Sequence, residues 1–353
     1  MKRHALLAAV AVSALALTGC SADASSSDNA ASTELNLYAW AGEVPDTVVA
    51  AFEKETGIKV TVDTFDSNET MISKLSAGGS GYDIVQPSQY AVQLLVGQEL
   101  VAPIDYSKVT GMENIAESFI DPSFDPENEH SIPWVWGTTG LLYNETCTGK
   151  PITSWKSLAD PAYAGKVYLL DNMLAAYIVG LQVNGLSAAT TDEADIEKAT
   201  QTLIDMKPNL AGYNSTNYTE LVATGDACIA EAWGGAGVAD VVANNPDVHY
   251  VLPTEGGTLW TDSFSIVADA PHSDAAYQWL NFTLKPEIAA MATNDGSLAT
   301  PNTAAAEFIT DQSVLSNTGV YAPDEQTVNS EFIVDPGEAM RFFQDGWTRV
   351  KAS

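Results

Sequence analysis

The sequence predicts an α/β protein, because three successive segments near the start of the folded region alternate between strand and helix patterns. LNLYAW (35–40) is a short apolar run typical of a buried strand. PDTVVAAFEKETG (45–57) places Val48 and Phe52 at helical spacing between an opening proline and a closing glycine. IKVTVDTF (58–65) alternates as a strand. Strand, helix and strand joined by short connections form a βαβ unit, which favours a parallel sheet.

The alternation of strand and helix patterns continues through the rest of the chain. Further strands are predicted at YDIVQPS (82–88), IPWVWGTTGLLYN (132–144), KVYLLD (166–171), ACIAEAW (227–233) and LWTDSFSIV (259–267). Further helices are predicted at residues 68–75, 191–208 and 273–284, the last with Ser273 as its N-cap. In open α/β sheets ligands bind at the carboxyl ends of strands, so residues that follow strands are the first candidates for a site.

The first twenty residues predict an exported lipoprotein. Two basic residues precede an apolar run that ends at LTGC (17–20), and this run is shorter than the roughly 20 apolar residues that a spanning helix needs. We therefore expect a signal peptide over residues 1–19. LTGC resembles the lipobox of bacterial lipoproteins, which implies lipid on Cys20; a secretory signal with a chance cysteine is the alternative. Residues 20–33 are small and polar and predict a flexible tether.

These features together predict an extracytoplasmic location, with the protein held by lipid on the periplasmic side or outer face of the cell membrane. The formal net charge is −31, and it becomes more negative once the two basic residues of the signal peptide are removed. Nucleic acid is excluded as an expected partner, because phosphate binding needs clustered Lys and Arg. The charge is compatible with a cationic ligand, and equally with an acidic surface that keeps an exported protein soluble.

Cys147 and Cys228 are the two cysteines left once Cys20 is assigned to lipid. An exported chain meets an oxidising compartment in which a disulfide persists, but the sequence alone leaves a bridge and two free thiols open. His and Cys lack the spacing of zinc motifs, so no metal or cofactor is expected. The glycine-rich runs at 78–81 and 234–240 lack the spacing of a nucleophile elbow or a dinucleotide fingerprint. We therefore expect a binding protein rather than an enzyme.

Four aromatic residues are predicted at the ends of strands: Trp40, Tyr90, Trp233 and Trp260, the last lying two residues before Asp262. An aromatic ring attracts an ammonium group by about 0.5–2 kcal/mol. A few such rings with one carboxylate reach the roughly 8 kcal/mol of micromolar binding. Each ring taken singly is better explained by core packing, so position alone does not establish a cleft for a cation.

Several motifs along the chain resemble those of one transporter family. YAWAGEVP (38–45), DSNETMISKL (66–75), YDIVQPSQY (82–90), SIPWVWG (131–137) and EGGTLWTDSFSI (255–266) are similar to successive motifs of the periplasmic spermidine/putrescine-binding proteins of polyamine ABC importers. The likeness extends over nearly the whole chain after the predicted tether. The SNETM, SIPWVWG and W-x-D-S motifs together make the resemblance specific.

The resemblance implies an α/β, two-lobed periplasmic binding protein fold (type II), in which each lobe is a mostly parallel sheet flanked by helices and the chain crosses between lobes. The motif positions assign residues 34–137 and 262–306 to lobe 1, and residues 138–261 and 307–353 to lobe 2. The resemblance further implies a monomer that binds a polyamine in the cleft between lobes and delivers it to ABC permease subunits. The residues at matching ligand positions are Trp40, Ser88, Tyr90, Trp233, Trp260 and Asp262.

The chain departs from the family pattern at about half of the cleft positions. Ala41 and Glu43 stand where the family has threonine and tyrosine. Glu43 is either a displaced ligand carboxylate or an exposed acid at a helix start, where the helix dipole favours it. Asn172 and Ala175 stand where acids are common, and Asn172 remains a candidate ligand residue.

Two further departures, Leu298 for a tyrosine and Ile333 for a glutamine, leave the identity of the ligand open. Because only Asp262 and Glu43 are available as acids, a diamine such as putrescine is expected to bind more tightly than the triamine spermidine. The alternatives are another small solute, such as an amino-acid-like zwitterion, or a ferric ion. A zwitterion would need a cation in the cleft, and a ferric ion would need convergent Tyr and His ligands.

Overall fold

The computed structural model describes residues 32–353. The predicted signal peptide, the predicted lipidation site Cys20 and residues 21–31 of the predicted tether lie outside the described residues. Within residues 32–353, no helix combines the length and the apolar character that crossing a membrane requires.

The first elements are the predicted βαβ unit and its continuation. They are β1 (Glu34–Trp40), α1 (Asp46–Thr56), β2 (Lys59–Phe65), α2 (Asn68–Ser76), β3 (Ile84–Val85) and α3 (Gln89–Gly97). β1 pairs in parallel with both β2 and β3. Helix α1 ends at Gly57, whose φ of 75° is readily adopted by glycine and leaves the helix through a left-handed cap. The predicted parallel sheet is confirmed here.

The middle of the chain alternates strands with helices in the same way. Its elements are β4 (Ile132–Asn144), α4 (Glu145–Thr148), β5 (Val167–Leu169), α5 (Met173–Val183), α6 (Glu193–Met206), β6 (Leu210–Tyr213), α7 (Tyr218–Thr224), β7 (Ile229–Trp233), α8 (Ala236–Asn244), β8 (Val248–Val251) and β9 (Thr258–Ile266). The chain closes with α9 (Ser273–Thr283), α10 (Pro286–Gly296), α11 (Asp324–Thr327), β10 (Glu331–Phe332) and α12 (Met340–Ala352).

The strands form one sheet in the order β2-β1-β3-β9-β4-β7-β5-β6, with β10 beside β9 and β8 beside β4. The pairs at both ends of this order are parallel, whereas β4 and β9 are antiparallel to each other and to their neighbours β3 and β7. The long strands β4 and β9 therefore join two α/β halves. The predicted α/β class is confirmed, with an antiparallel centre that periodicity alone did not reveal.

Two separate hydrophobic cores lie at the two ends of the joining strand β4. One large core draws its buried residues from positions 141–250 and 339–350. The other draws its buried residues from positions 35–135 and 264–298. Both cores contain fully buried tryptophans, Trp155 in the first and Trp279 in the second. Each half of the chain therefore has the apolar interior needed to hold its own strands and helices in place.

Two local features bear on the sequence expectations. Ser273 is the first residue of α9 rather than its N-cap, so the predicted capping role is wrong. His272 holds the N-cap position without a side-chain cap, and its backbone N–H donates to the buried Asp83 at 2.6 Å.

Cys147 and Cys228 are joined in a disulfide with their Cα atoms 5.2 Å apart, which links the end of β4 to the start of β7.

Candidate functional site

The carboxyl ends of β1 and β3 meet the side of β9 and bring two acids together. β1 and β3 are parallel neighbours, and β3 pairs with β9, so the segments after β1 and β3 lie beside Asp262. The Ser88 hydroxyl donates to Asp262 Oδ1 at 2.5 Å. The backbone N–H of Ser263 donates to the carbonyl of Pro87 at 3.0 Å and holds the two segments in register.

Glu43 reaches the same place through a tight turn after Trp40, in which Gly42 has a φ of 87°. Gln86 Nε2 donates to Glu43 Oε2 at 2.8 Å, while Gln86 Oε1 accepts from the Trp40 backbone N–H at 3.3 Å. The Trp134 indole N–H donates to the Glu43 carbonyl at 2.9 Å. Glu43 is thus held by Gln86 and Trp134 and is not the exposed helix-start acid that was one of the two sequence interpretations.

We call Glu43 and Asp262 the acid pair. Burial determines the charge that their two carboxyl groups carry. Burial raises the pKa of Asp262 to about 6, although hydrogen bonds from Ser88, Glu43 and Trp40 oppose the increase. Burial and the neighbouring Asp262 charge raise the pKa of Glu43 well above its ordinary value. Asp262 is therefore the first of the two carboxyls to ionise as the pH rises, and Glu43 keeps its proton longer, as expected for two carboxyls that share a site.

Aromatic side chains surround the acid pair. Trp40 packs against Phe65 with ring centroids 4.6 Å apart. Its buried indole N–H lacks a hydrogen bond of normal geometry but lies close enough to lower the pKa of Asp262. Tyr90, in the first turn of α3, places its hydroxyl 3.4 Å from Glu69, and burial raises its pKa, to which the Asp262 charge also contributes.

Trp260 lies on the same face of β9 as Asp262, because side chains two residues apart on a strand point the same way. Gly137 is the residue opposite it on β4. A Cβ on Gly137 would lie 2.2 Å from the Trp260 ring, so the glycine is required for the ring to lie flat across the strand. The Trp260 indole N–H donates to the Thr138 carbonyl at 3.2 Å, which fixes the ring orientation.

Trp233 and Asn172 are at the carboxyl ends of strands in the other half of the sheet. Trp233 is the last residue of β7, partly exposed, and its carbonyl accepts from the Tyr218 hydroxyl at 3.2 Å. Asn172 is the N-cap of α5, where its Oδ1 accepts from the Ala175 backbone N–H at 3.0 Å. The side chain of Asn172 therefore already has a capping partner, and Ala175 is buried.

Two polar residues of this region were not predicted from the sequence. Gln86 links Trp40 to Glu43, and Glu231 is a fully buried acid on β7. Burial raises the pKa of Glu231 to about 8. The observation that would have identified Glu231 is an acid in the centre of the otherwise apolar run ACIAEAW.

A cavity of about 270 Å³ lies on the opposite face of the β4–β9 ribbon. Trp136 lines it, and Trp136 neighbours Gly137 on β4, so its side chain points away from the face that carries Trp260. The cavity contains neither member of the acid pair. Among residues 32–353, no cluster of three or more His, Cys, Asp or Glu side chains is arranged to hold a metal ion.

Known proteins resemble this chain in sequence over its whole length. The family model described as bacterial extracellular solute-binding protein matches residues 47–318. The spermidine/putrescine-binding periplasmic protein of Escherichia coli is 35% identical over 353 residues, covering 99% of this chain and 98% of that protein. The putrescine-binding periplasmic protein PotF of Escherichia coli is 32% identical, covering 90% of this chain and 91% of that protein.

Solved structures agree with this assignment. The substrate-binding protein PotD of a spermidine/putrescine ABC transporter from Streptococcus pneumoniae superposes with a TM-score of 0.82 at 30% identity, covering 91% of this chain and 99% of that one. A lipoprotein of Treponema pallidum superposes with a TM-score of 0.80 at 26% identity, covering 90% of this chain and 99% of that one. The predicted type II periplasmic binding protein fold is confirmed. With a family model over most of its length and relatives of this identity, the chain belongs to the family of bacterial extracellular solute-binding proteins.

Proposed function

We propose that this protein binds a polyamine and delivers it to the permease of an ABC importer. The observation that carries the proposal is the acid pair, in which a buried Asp262 carboxylate lies beside Glu43 and among aromatic rings. A buried carboxylate without a cation is costly, and an ammonium group supplies that cation. The names of the relatives, spermidine/putrescine-binding and putrescine-binding, support the same ligand class.

One ammonium group of the ligand pairs with Asp262, and Ser88 holds the carboxylate in position. Trp40 and Trp260 pack against the methylene groups and attract the ammonium through their ring faces, at about 0.5–2 kcal/mol for each contact. Tyr90 closes the side of the site next to α3. The ligand is bound without covalent chemistry.

The ligand stabilises a closed form by contacting both lobes, because a ligand shifts a conformational equilibrium only through its different affinities for the two states. The lobes comprise residues 34–137 with 262–306, and residues 138–261 with 307–353. Trp233 and Asn172, which lie at the carboxyl ends of the neighbouring strands β7 and β5, provide the contact surface of lobe 2. The two separate hydrophobic cores support this division, since each lobe then has an interior of its own.

A zwitterion or a ferric ion is not favoured as ligand. The carboxylate of a zwitterion would face Asp262, and the proposed site residues include no Lys or Arg to receive it. A ferric ion would need several oxygen and nitrogen ligands in one place, and among residues 32–353 no three His, Cys, Asp or Glu side chains are arranged to hold a metal ion.

Anchoring to the membrane through lipid on Cys20 is part of the same proposal. A diacylated cysteine provides stable attachment where a single acyl chain is marginal. The likeness to a lipoprotein of Treponema pallidum supports it. Metabolic labelling with a fatty acid should mark the wild type and fail to mark Cys20→Ser; a labelled Cys20→Ser protein would contradict the anchor.

Calorimetric titration of the mature protein tests the ligand class. Putrescine or spermidine should bind with micromolar affinity or better, about 8 kcal/mol, whereas glutamate should produce no binding heat. Saturable binding of glutamate with no response to either amine would contradict the proposal.

A further inference from the structure

The cavity beside Trp136, on the face of the β4–β9 ribbon away from the acid pair, is larger than the voids of an ordinary protein interior. Its volume is about 270 Å³, whereas close-packed interiors contain few voids larger than a water molecule. An apolar cavity of about 150 Å³ is enough to hold a benzene molecule. The cavity therefore has room for a small molecule of two fused rings.

Aromatic rings form one wall of the cavity. Trp136 packs against Phe119 and Tyr321, with ring centroids 5.6 Å and 6.1 Å apart. Leu259, on β9, and Leu315 add aliphatic surface to the lining. Aromatic rings attract each other in offset-stacked or edge-to-face arrangements with centroids about 4.5–7 Å apart. A flat aromatic molecule in the cavity therefore has both ring and aliphatic partners.

The polar atoms of the two larger rings are already hydrogen-bonded within the protein. The Trp136 indole N–H donates to the Thr300 carbonyl at 3.3 Å. The Tyr321 hydroxyl accepts from the Thr300 backbone N–H at 3.2 Å. It donates to the Thr293 hydroxyl at 3.0 Å, because that hydroxyl itself donates to the Leu298 carbonyl at 2.7 Å. These rings therefore offer the cavity their apolar surfaces rather than free donors or acceptors.

The lining of the cavity carries no charged side chain among residues 32–353. Asn302, which lines it, uses both ends of its amide elsewhere: Nδ2 donates to the Leu284 carbonyl at 2.9 Å, and Oδ1 accepts from the Ala304 backbone N–H at 3.1 Å. A charged guest would lose its hydration without gaining a partner of opposite charge. The cavity therefore favours an uncharged molecule, whereas the acid pair favours a cation.

Apolar surface exposed to solvent lies close to the cavity. Large hydrophobic side chains with substantial exposure include Ile120 at 39%, Phe308 at 46% and Val328 at 77%. Each of the three is the direct neighbour in the chain of a residue that lines the cavity. Exposed apolar surface of this kind marks places where a binding partner or ligand is received. An apolar molecule therefore meets apolar surface on its way into the cavity.

The cavity also borders the places where the chain crosses between the proposed lobes. Trp136 and Ala306, which both line it, lie at the ends of the two segments of lobe 1. Phe119 belongs to lobe 1 and Tyr321 to lobe 2, so the aromatic wall comes from both lobes. A rotation about the β4–β9 ribbon that narrows the cleft at the acid pair widens the space on the opposite face. A molecule that fills this space opposes its collapse and so favours the closed form.

We propose that the cavity beside Trp136 is a second binding site, for a small uncharged molecule of two fused aromatic rings, and that its occupancy strengthens polyamine binding. The site is argued from the cavity itself, whereas the coupling rests on the proposed function and its two lobes. Because coupling between two sites is reciprocal, putrescine raises the affinity for the aromatic molecule by the same factor.

Calorimetry at pH 7 with indole as the probe tests the site. The wild type should bind indole saturably, with one molecule per chain. Ala306→Trp and Leu315→Trp each place a large side chain at a lining position and should weaken indole binding at least about tenfold. Ala77→Trp is the matched control, because Ala77 is an exposed alanine at the end of α2 that does not line the cavity. It should bind indole like the wild type.

Titration of putrescine with and without saturating indole tests the coupling. Indole should strengthen putrescine binding about fivefold in the wild type and in Ala77→Trp, and should leave it unchanged in Ala306→Trp. Weaker putrescine binding in the presence of indole would mean that indole competes for the tryptophans of the cleft, and it would overturn the proposal.

Three further results would overturn the proposal: no saturable binding of indole, wild-type indole affinity in both Ala306→Trp and Leu315→Trp, or a putrescine affinity of the wild type that indole does not change. The two substitutions cover each other if one variant does not fold. A wild type that binds indole but neither putrescine nor spermidine would instead contradict the proposed function and the coupling built on it, so the two failures are distinct.

Discussion

Each half of the molecule contains a buried carboxyl site, and the two sites differ in their hydrogen-bond partners and in their charge at neutral pH. In the first half Asp262 accepts from Ser88 and lies beside Glu43, which is itself held by Gln86. In the second half Glu231 has one donor, the Leu170 amide, and no neighbouring acid or cation among the groups that influence it. The acid pair therefore retains a charge at neutral pH, whereas Glu231 is neutral.

Burial is the main cause of the raised pKa in both acids, and Asp262 accepts more hydrogen bonds that oppose the increase than Glu231 does. Asp262 and Glu231 are both deeply buried, yet burial raises the pKa of Asp262 to about 6 and that of Glu231 to about 8. The acid pair is therefore the site whose charge suits a cationic ligand.

The largest expected effect is on stability and concerns Glu231 in the ligand-free protein. Its pKa is raised from the ordinary value of 4.5 to about 8 in the folded state, so the folded chain holds a proton that the unfolded chain releases between these values. Stability should therefore fall as pH rises through this window. Between pH 5 and pH 9 the free energy of unfolding of the wild type should fall by about 4 kcal/mol more than that of Glu231→Gln.

Urea unfolding at both pH values measures this difference. Glu220→Gln should show the same dependence on pH as the wild type, because its side chain is exposed. The pKa values of the acid pair are also raised, so part of the dependence of the unfolding free energy on pH remains in every variant. Equal slopes in the wild type and Glu231→Gln would mean that Glu231 is ionised or solvated at neutral pH, and the contrast between the two sites would disappear.

The next effect separates the two members of the acid pair. Asp262→Asn removes the charge that faces the ligand, so amine affinity should fall at least about tenfold, or 1.4 kcal/mol. Glu43→Gln resembles the protonated form of Glu43, so its affinity at pH 7 should fall much less. Calorimetry on both variants checks this order. A larger loss in Glu43→Gln than in Asp262→Asn would place the charge on Glu43 and reverse the assignment within the pair.

The smallest effect concerns the length of the ligand. Asp262 and Glu43 are the two acids of the proposed site, so the third ammonium group of spermidine would be buried without an acid or would have to remain hydrated. Putrescine should therefore bind about three- to tenfold more tightly than spermidine in a competition titration. Tenfold tighter binding of spermidine would indicate an acid facing the ligand besides Glu43 and Asp262.

Much of the fold was predictable from local patterns. Strands and helices such as β1 and α1 were located within one or two residues because apolar spacing, proline and glycine mark their ends. The antiparallel pairing of β4 with β9 was not predictable, since these strands are more than a hundred residues apart in sequence. Pairing between distant strands depends on packing that no local period encodes.

The candidate site was predictable where motifs mark it and not elsewhere. Asp262, Ser88 and Trp260 were selected from motif positions, and the structure brings Ser88 and Asp262 into contact. Glu43 remained ambiguous because its contact with Asp262 depends on a turn at Gly42 and on Gln86. Glu231 was overlooked because an acid within a strand gives no indication of which face or which edge it will occupy.

A crystal structure of the protein with putrescine bound tests the central claim, that the acid pair is an ammonium site, most directly. One nitrogen of the ligand should lie within hydrogen-bond distance of an Asp262 carboxylate oxygen, about 2.7–3.2 Å, with the methylene chain against Trp260. Putrescine bound instead in the cavity beside Trp136, or with neither nitrogen near a carboxylate, would contradict the claim.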